Sequence, residues 1–226
     1  PFHEDAVIGF VRRTLRRLDI SYRMDRHGNI IAHMGTGRRP PLAMVAHMDH
    51  PGFGIEKIIS PTSLSARVLG GVGGNLVGRK IRFQTPPGCR GKIVRVEKKD
   101  SEGRPVRVLV RLLARSPTPL PGSFGMWDIP AFFRRGRKMY APAIDDVLGV
   151  AVMLEVMRRL RSFARRNLNL YCCFTRAEEV GFIGAGAMAK DRILPAGTRV
   201  ISIEMSKALP GRAEQDIDLA RHDHIR

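Results

Sequence analysis

Apolar and polar residues follow two different patterns along this chain. In the first and last parts, amphipathic stretches with helical spacing alternate with short, continuous apolar runs, which are typical of buried strands. The predicted elements are helices over residues 4–18, 145–160 and 183–190, a strand pair over 22–25 and 29–33, and single strands over 42–46, 168–174 and 199–203. Strands that alternate with helices favour a mostly parallel sheet flanked by helices. The predicted fold class is therefore α/β.

The middle of the chain has a different pattern. Short β-like runs there are separated by Gly, Pro and charged turns, and helical periodicity is almost absent. This predicts a small β-barrel or sandwich inserted into the α/β domain, and we take the barrel as the prediction. The predicted organisation is a first α/β part over 1–53, the β insert over 54–141, a second α/β part over 142–211, and an atypical tail over 212–226.

The chain is strongly basic, with a formal net charge of +18 over 226 residues. Such a charge raises the possibility of nucleic-acid binding, which needs clustered Lys and Arg. Here the cations fall on polar helix faces and in loops, no nucleic-acid motif accompanies them, and aromatic residues make up only 6% of the chain. We therefore expect no specific nucleic-acid partner, only weak nonspecific anion binding. A nucleic-acid-associated protein ranks last among the alternatives, since it rests on charge alone.

Composition also bears on the cellular compartment. No run approaches the roughly 20 apolar residues of a membrane helix, and no signal-like segment precedes the predicted fold. Cys89 is isolated, while Cys172 and Cys173 would point to opposite faces of one strand, so no disulfide framework is visible. These features predict a cytoplasmic protein without membrane contact.

Four short motifs rich in acids or histidine follow strand-like runs or open a helix. They are His47-x-Asp49, Asp145-Asp146, Glu178-Glu179 and Glu204. In sheets of this class, ligands bind at the carboxyl ends of the strands. Carboxylates gathered there are costly unless a cation or a proton compensates. The motifs therefore predict a cation site, and ordinary surface acids are the alternative.

Each motif has its own chemistry and its own alternative. His47 is a good zinc ligand, and a nearby carboxylate can accept its second ring N–H. An Asp pair at a helix start is, on its own, better explained as a helix cap. The Glu pair follows an apolar strand, so one carboxylate can bind metal while the other holds a proton near water. The alternative for this pair is exposed acids at a helix entry.

In this order, and with a β insert between the first two motifs, the chain resembles the M42 family of dinuclear metallo-aminopeptidases. The motifs that carry the likeness are His-x-Asp, Asp-Asp-x-x-Gly, Glu-Glu-Val-Gly-x-x-Gly-Ala and a later acid at a strand end. The resemblance runs from Glu4 to Gly211 and includes the segment from Asp25 to Ile31. It implies a zinc-exopeptidase-like fold, shared with the M20 and M28 peptidases, that is incomplete at the C-terminal end.

The resemblance also implies a ligand set for two divalent metal ions, zinc or cobalt. His47 and Glu204 would bind the first ion, Glu179 the second, and Asp145 would bridge both. The family needs a further histidine far downstream, and this sequence ends before it, so the second site lacks its histidine, and binding of a single ion is the alternative to binding of two. His222 and His224 lie in a polar tail with no strand to position them, and a solvated tail is the preferred interpretation.

Catalytic roles are implied in the same way. Glu178 would be the general base that activates water, and Asp49 would orient the histidine ligand. Asp146 matches the residue after the bridging ligand, and its peptide bond to Asp145 is expected to be cis. The composition shift after Gly211 motivates the hypothesis that the coding sequence is frameshifted or truncated there.

The predicted function is a cytoplasmic metallo-aminopeptidase that removes N-terminal residues from peptides through a water activated by two metal ions, with Glu178 as general base. The alternative is a truncated remnant of such an enzyme that binds at most one metal and is catalytically impaired or inactive. Peptides are the expected substrates. The family implies a homo-oligomer, although loss of the last sheet elements would expose strand edges and favour aggregation instead.

Overall fold

The computed structural model describes residues 1–35, 39–163 and 168–205. The predicted tail over 212–226, with His222 and His224, lies outside these residues, as does the predicted boundary at Gly211. In chain order the helices are α1 (Asp5–Arg17), α2 (Ile144–Leu160) and α3 (Ile183–Lys190), with a short 3-10 turn at Arg161–Phe163. The strands are β1 (Tyr22–Met24), β2 (Ile30–Gly35), β3 (Leu42–His47), β4 (Gly52–Ser60), β5 (Ser63–Leu69), β6 (Lys80–Phe83), β7 (Arg90–Lys99), β8 (Pro105–Leu112), β9 (Phe124–Trp127), β10 (Phe133–Arg135), β11 (Lys138–Tyr140), β12 (Asn169–Thr175) and β13 (Arg199–Ser202).

The α/β part is built on a five-stranded sheet in the order β1-β2-β12-β3-β13. Strand β3 is parallel to both of its neighbours, β12 and β13, whereas β2 is antiparallel to both β1 and β12. The sheet is therefore mixed, and the prediction of a mostly parallel sheet is not confirmed. The reason lies in the connections, since β1 and β2 are joined by a tight turn, which makes an antiparallel hairpin rather than a crossover.

One face of this sheet packs against α1 and α2. Val11 and Leu15 of α1 and Met153 and Met157 of α2 are buried in one cluster with Phe174 of β12. Because these side chains recur at helical spacing, each helix presents one apolar stripe to the sheet. This packing fixes the first turn of α2 beside the end of β3.

The opposite face of the sheet is covered by a smaller cluster. Met188 of α3 is buried there with Ile31 and Cys173. The neighbouring Cys172 belongs to the first cluster, so the two cysteines point to opposite faces, as predicted from the strand period. All three cysteines of the chain are buried and free.

The middle of the chain forms a closed barrel of six antiparallel strands in the order β4-β5-β8-β7-β6-β9. Its strands run from Gly52 to Trp127, and its interior is filled by apolar side chains that include Phe53, Ile81 and Val110. The predicted inserted barrel is therefore present, while the exact division of the chain into domains stays a prediction. Closure leaves the barrel without a free edge.

The barrel is inserted between β3 and α2, with the β10–β11 hairpin following it. This topology brings the end of β3 next to the start of α2, although about 100 residues of sequence separate them. Within the described residues, no helix is long and apolar enough to cross a membrane.

Candidate metal centre

Three parallel strands end at the same edge of the sheet. The predicted motifs lie at their last residues or just after them. β3 lies between β12 and β13, and the register pairs His47 with Thr175 and Val45 with Ser202. The chain after β12 therefore delivers Glu178 beside the end of β3, as expected for the carboxyl ends of parallel strands.

His47 lies at the centre of the resulting cluster and is only 3% exposed. Its Nε2 atom is 3.4 Å from Asp145 Oδ1, 3.7 Å from Glu178 Oε2 and 3.7 Å from Glu204 Oε1. Among the residues that the structure describes, two groups of side chains could hold a cation, and both include this histidine. One is formed with Glu178 and Glu179, the other with Asp145 and Glu204, and the ligand atoms in each lie within 4.8 Å of one another.

Asp49 links the histidine to the glutamate pair. Its carboxylate is buried, with Oδ1 3.4 Å from His47 Nδ1. The same carboxylate accepts hydrogen bonds from the backbone N–H groups of Glu178 at 2.9 Å and Glu179 at 3.3 Å. Because one acid engages both the imidazole and the Glu loop, it positions the two parts of the site relative to each other. With Nδ1 next to Asp49, the other ring nitrogen of His47, Nε2, faces the carboxylates of Asp145, Glu178 and Glu204.

The titration behaviour of these groups reflects how closely they are packed. Burial, together with the charge of Glu178, raises the pKa of Glu179 to about 7. Burial also raises the pKa of Glu178 and of Glu204. Burial lowers the pKa of His47, but Asp49 and the nearby glutamates outweigh it and raise this pKa to about 9. Each shift has the sign expected for clustered carboxylates with no compensating cation.

Asp49 itself behaves differently. Burial would raise the pKa of this carboxyl, yet the hydrogen bond with His47 and the backbone N–H of Glu178 hold it below its ordinary value. Asp49 is thus ionised and already fully engaged, which suits a group that orients a ligand. The remaining possible ligands are one imidazole and four carboxylates. Because the carboxylates repel one another, a divalent cation between them would be stabilising.

The two adjacent acids at the start of α2 have different surroundings. The peptide bond between Asp145 and Asp146 is cis, as the resemblance implied. Asp145 faces the cluster with a half-exposed side chain, whereas Asp146 is fully buried. Asp146 accepts hydrogen bonds from the N–H of Gly149 at 3.2 Å and from the N–H of His47 at 3.3 Å. The helix-cap interpretation therefore describes Asp146, and Asp145 is left for the site.

Comparison with known proteins agrees with this geometry. Residues 120–219 match the model of the M42 glutamyl aminopeptidase family. A curated protein of Acetivibrio thermocellus named "Putative aminopeptidase" is 26% identical over 174 residues, which cover 74% of this chain and 51% of that protein. Over residues 120–219 the chain is similar to M42 peptidases. It spans about half the length of this curated relative.

Solved structures show the same fold. The aminopeptidase APDkam598 from the archaeon Desulfurococcus kamchatkensis superposes with a TM-score of 0.72 at 24% identity, covering 94% of this chain and 61% of that one. The TET1 peptidase of Pyrococcus horikoshii gives a TM-score of 0.69 at 23% identity, covering 89% and 63%. At these identities the likeness establishes the architecture alone.

The loop that carries the glutamate pair is held by a buried amide to which the sequence analysis assigned no role. Asn29 is fully buried; its Oδ1 accepts from the N–H of Arg176 at 3.0 Å, and its Nδ2 donates to Gly184 O at 3.0 Å and to Asp25 Oδ2 at 2.7 Å. The loop from Arg176 to Gly184 is therefore pinned at both ends by one side chain. The available signal was the Asp-x-x-Gly-Asn turn before β2, whose polar residues flank an apolar strand.

The side chain of Arg176 adds a second restraint on the same loop. It donates to Glu4 Oε2 from Nε at 2.8 Å and lies 2.7 Å from it through Nη2, and Glu4 is almost completely buried. It also donates from Nη1 to the carbonyl of His27 at 3.3 Å. A charge buried to this extent needs a partner, so the pair ties the loop to the start of α1.

Arg176→Met is expected to lower the free energy of unfolding by about 3 kcal/mol, because it leaves the buried Glu4 carboxylate without its cation, with only the Phe2 N–H still donating to it. Urea unfolding followed by circular dichroism measures the change. Arg158→Met is the matched control, since Arg158 pairs with Glu155 on the exposed surface of α2, and no measurable change is expected there. Equal losses of unfolding free energy in the two variants would show that the buried Glu4–Arg176 pair contributes no more than an exposed pair.

Gly149→Ala is expected to destabilise the protein by about 1–3 kcal/mol, although Ala normally favours a helix. A Cβ at this position would overlap the carboxylate of Asp146, which holds the N–H of His47. Gly186→Ala in α3 is the control, because a Cβ there meets nothing within 4 Å and φ is not positive. The control should stabilise the fold slightly, and a stabilised Gly149→Ala protein would contradict the packing described here.

Proposed function

We propose that this chain carries the metal site and the general base of an M42-type aminopeptidase, which removes N-terminal residues from peptides. The observation that supports this most strongly is the convergence on one histidine, His47, of carboxylates from three separate segments of the chain. The chain covers 51% of the curated relative and 61–63% of the solved relatives named above, so the activity of the whole protein is part of the proposal.

Two ions would be held by residues drawn from the two groups that share His47. His47, Asp145 and Glu204 would hold one, and Asp145 would share the other with Glu179. Divalent cations supply Lewis acidity, which lowers the pKa of water and polarises the carbonyl of the scissile bond. A cobalt or zinc ion suits an imidazole and carboxylate donor set.

Glu178 would be the general base. Its carboxylate is mostly buried, lies 3.7 Å from the histidine Nε2, and has a pKa raised by burial and by neighbouring acids. A raised pKa lets a carboxylate accept a proton from water and later release it to the leaving amine. Asp49 contributes by fixing the backbone N–H of Glu178, so that the base is presented at a defined position.

The open side of the site would favour a free N-terminus. Asp145 and Glu204 are about half exposed, at 55% and 48% of their side-chain areas. Their negative charge would attract the ammonium group of a peptide. Exopeptidase rather than endopeptidase action follows from this placement.

Metal binding without turnover is the second candidate function. It is motivated by the observation that, among the described residues, both potential cation groups use the same histidine. If His47 serves one ion, the second is left with carboxylates alone, which bind zinc less well than a set that includes imidazole. This candidate predicts one tightly held ion and no peptide hydrolysis.

Hydrolysis of amino-acid anilides by the purified chain separates the two candidates. Release of the chromophore should depend on added zinc or cobalt, stop with a chelator, and return when metal is restored. The matched control substrate is the N-acetylated anilide, which lacks the free amine and should not be cleaved. Metal binding with no turnover on either substrate would support the second candidate.

A homo-oligomer is proposed on the basis of a relative. The TET1 peptidase of Pyrococcus horikoshii is described as assembling into a tetrahedron or a large octahedral shell. Light scattering coupled to size exclusion would test whether this chain forms a discrete assembly. A monomer at all concentrations would contradict the proposal.

A further inference from the structure

The outer face of the barrel carries two rows of cations placed directly opposite one another on neighbouring strands. The first row, here called the basic row, consists of Lys80 on β6, Lys92 on β7 and Arg111 on β8. All three residues are exposed. Residues opposite each other in antiparallel strands project from the same face, with Cβ atoms about 4.5–5.5 Å apart. The basic row therefore places three like charges side by side.

The second row is Arg67 on β5, Arg107 on β8 and Lys98 on β7. Here the repulsion is relieved within the chain, because Glu56 accepts from Arg67 Nε at 2.9 Å and from Arg107 Nε at 2.6 Å. The same two arginines hold the pKa of Glu56 below its ordinary value. In this second row, Glu56 thus supplies a carboxylate to two of the three cations.

The basic row has no such carboxylate. Across residues 1–35, 39–163 and 168–205, no acid lies within ion-pair distance of Lys80, Lys92 or Arg111. Asp128 follows the strand next to β6, yet its ion pair at 3.5 Å is with Arg90. Like charges directly opposite each other in a sheet are destabilising. An arrangement that lowers stability and is left uncompensated points to an external anion.

The surroundings of the basic row indicate which kind of anion fits. Lys92 and Arg111 border an open groove of about 440 Å³ whose other walls include Val77, Val94 and Leu112. None of the residues that line this groove is aromatic. Single-stranded nucleic acids bind proteins largely by stacking bases on aromatic rings, so the groove lacks their main contact. Aliphatic walls beside cations suit side chains that are acidic at the tip and apolar along the stem.

We propose that the basic row is a docking site for an acidic peptide segment. In an extended peptide, side chains two residues apart lie on one face about 6.5–7 Å from each other. Carboxylates at alternate positions would therefore meet neighbouring cations of the row, and their aliphatic stems would lie in the groove. This surface is formed by the barrel alone and does not depend on the function proposed for the metal centre.

The test is a fluorescence-anisotropy titration with a labelled hexaglutamate peptide at about 50 mM and 150 mM salt. The triple variant Lys80→Gln, Lys92→Gln, Arg111→Gln should bind at least ten times more weakly than the unchanged chain at low salt. The matched control removes three exposed charges from the end of α1, with Arg13→Gln, Arg16→Gln and Arg17→Gln, and should change the affinity by less than about twofold. Equal losses in the two variants would overturn the proposal, since net charge alone would then explain binding.

Two further measurements keep the outcome decisive. Lys92→Glu puts one carboxylate between two cations, so it should abolish peptide binding and raise the melting temperature; a lowered melting temperature would show that the row is not under repulsion. A labelled oligothymidine of equal charge should bind more weakly than the peptide. Tighter binding of the oligonucleotide, lost in the triple variant, would overturn the acidic-peptide assignment in favour of nucleic acid.

Discussion

His47→Ala is expected to weaken divalent metal binding by more than about 100-fold. Removing a residue that only supports a metal ligand typically costs 10–100-fold in affinity, and this residue belongs to both potential cation groups. Without the ring, the surrounding carboxylates also lose the imidazole that they share as a partner. Competition with a chromophoric chelator measures the dissociation constant for zinc or cobalt.

The control for this substitution is His27→Asn, which changes a histidine in the turn between β1 and β2, where it lies 3.4 Å from Asp191. Its zinc affinity should equal that of the unchanged chain. Circular dichroism should show that both variants retain the fold. A His47→Ala protein that binds zinc as tightly as the control would place the metal elsewhere.

Glu178→Gln is expected to lower the turnover of an active preparation by about 10³-fold while leaving its metal content unchanged. General acid–base catalysis by a positioned side chain contributes 10²–10⁴-fold, and glutamine cannot accept the proton. The isosteric amide retains the backbone contact with Asp49, so the loop should keep its position. Steady-state kinetics on an amino-acid anilide, with metal analysis of the same sample, measures both quantities.

Glu179, the neighbouring acid, is expected to respond differently. Glu179→Gln should lower metal content, because Glu179 is assigned as a ligand, whereas Glu102→Gln, in an exposed barrel turn, should change neither quantity. Both glutamates of the pair lie close enough to His47 to bind an ion. If Glu178→Gln loses metal and Glu179→Gln loses only turnover, the two roles are reversed.

Much of the site was predictable because it depends on local signals. Strands β3 and β12 are largely buried and show continuous apolar runs, and the acids follow soon after them, so their position at one sheet edge is a consequence of parallel pairing. His47 and Glu178 could be brought together in this way without knowledge of the strand order. The cis bond between Asp145 and Asp146 was expected from the family resemblance alone.

Other features were beyond local signals. The antiparallel placement of β2 beside β12 depends on strand pairings far apart in sequence, which apolar periodicity does not encode. The role of Asn29 depends on a loop about 150 residues away, so its amide looked like an ordinary turn residue. The basic row likewise requires the barrel register, since Lys80, Lys92 and Arg111 are unremarkable singly.

The central claim is that His47 and the surrounding carboxylates hold a divalent cation. The most direct measurement is metal analysis of the chain after saturation with zinc and dialysis against metal-free buffer, beside His47→Ala treated in parallel. The account predicts at least one zinc ion per unchanged chain and none in the variant. No retained zinc in the unchanged chain, or the same zinc content in both proteins, would contradict it.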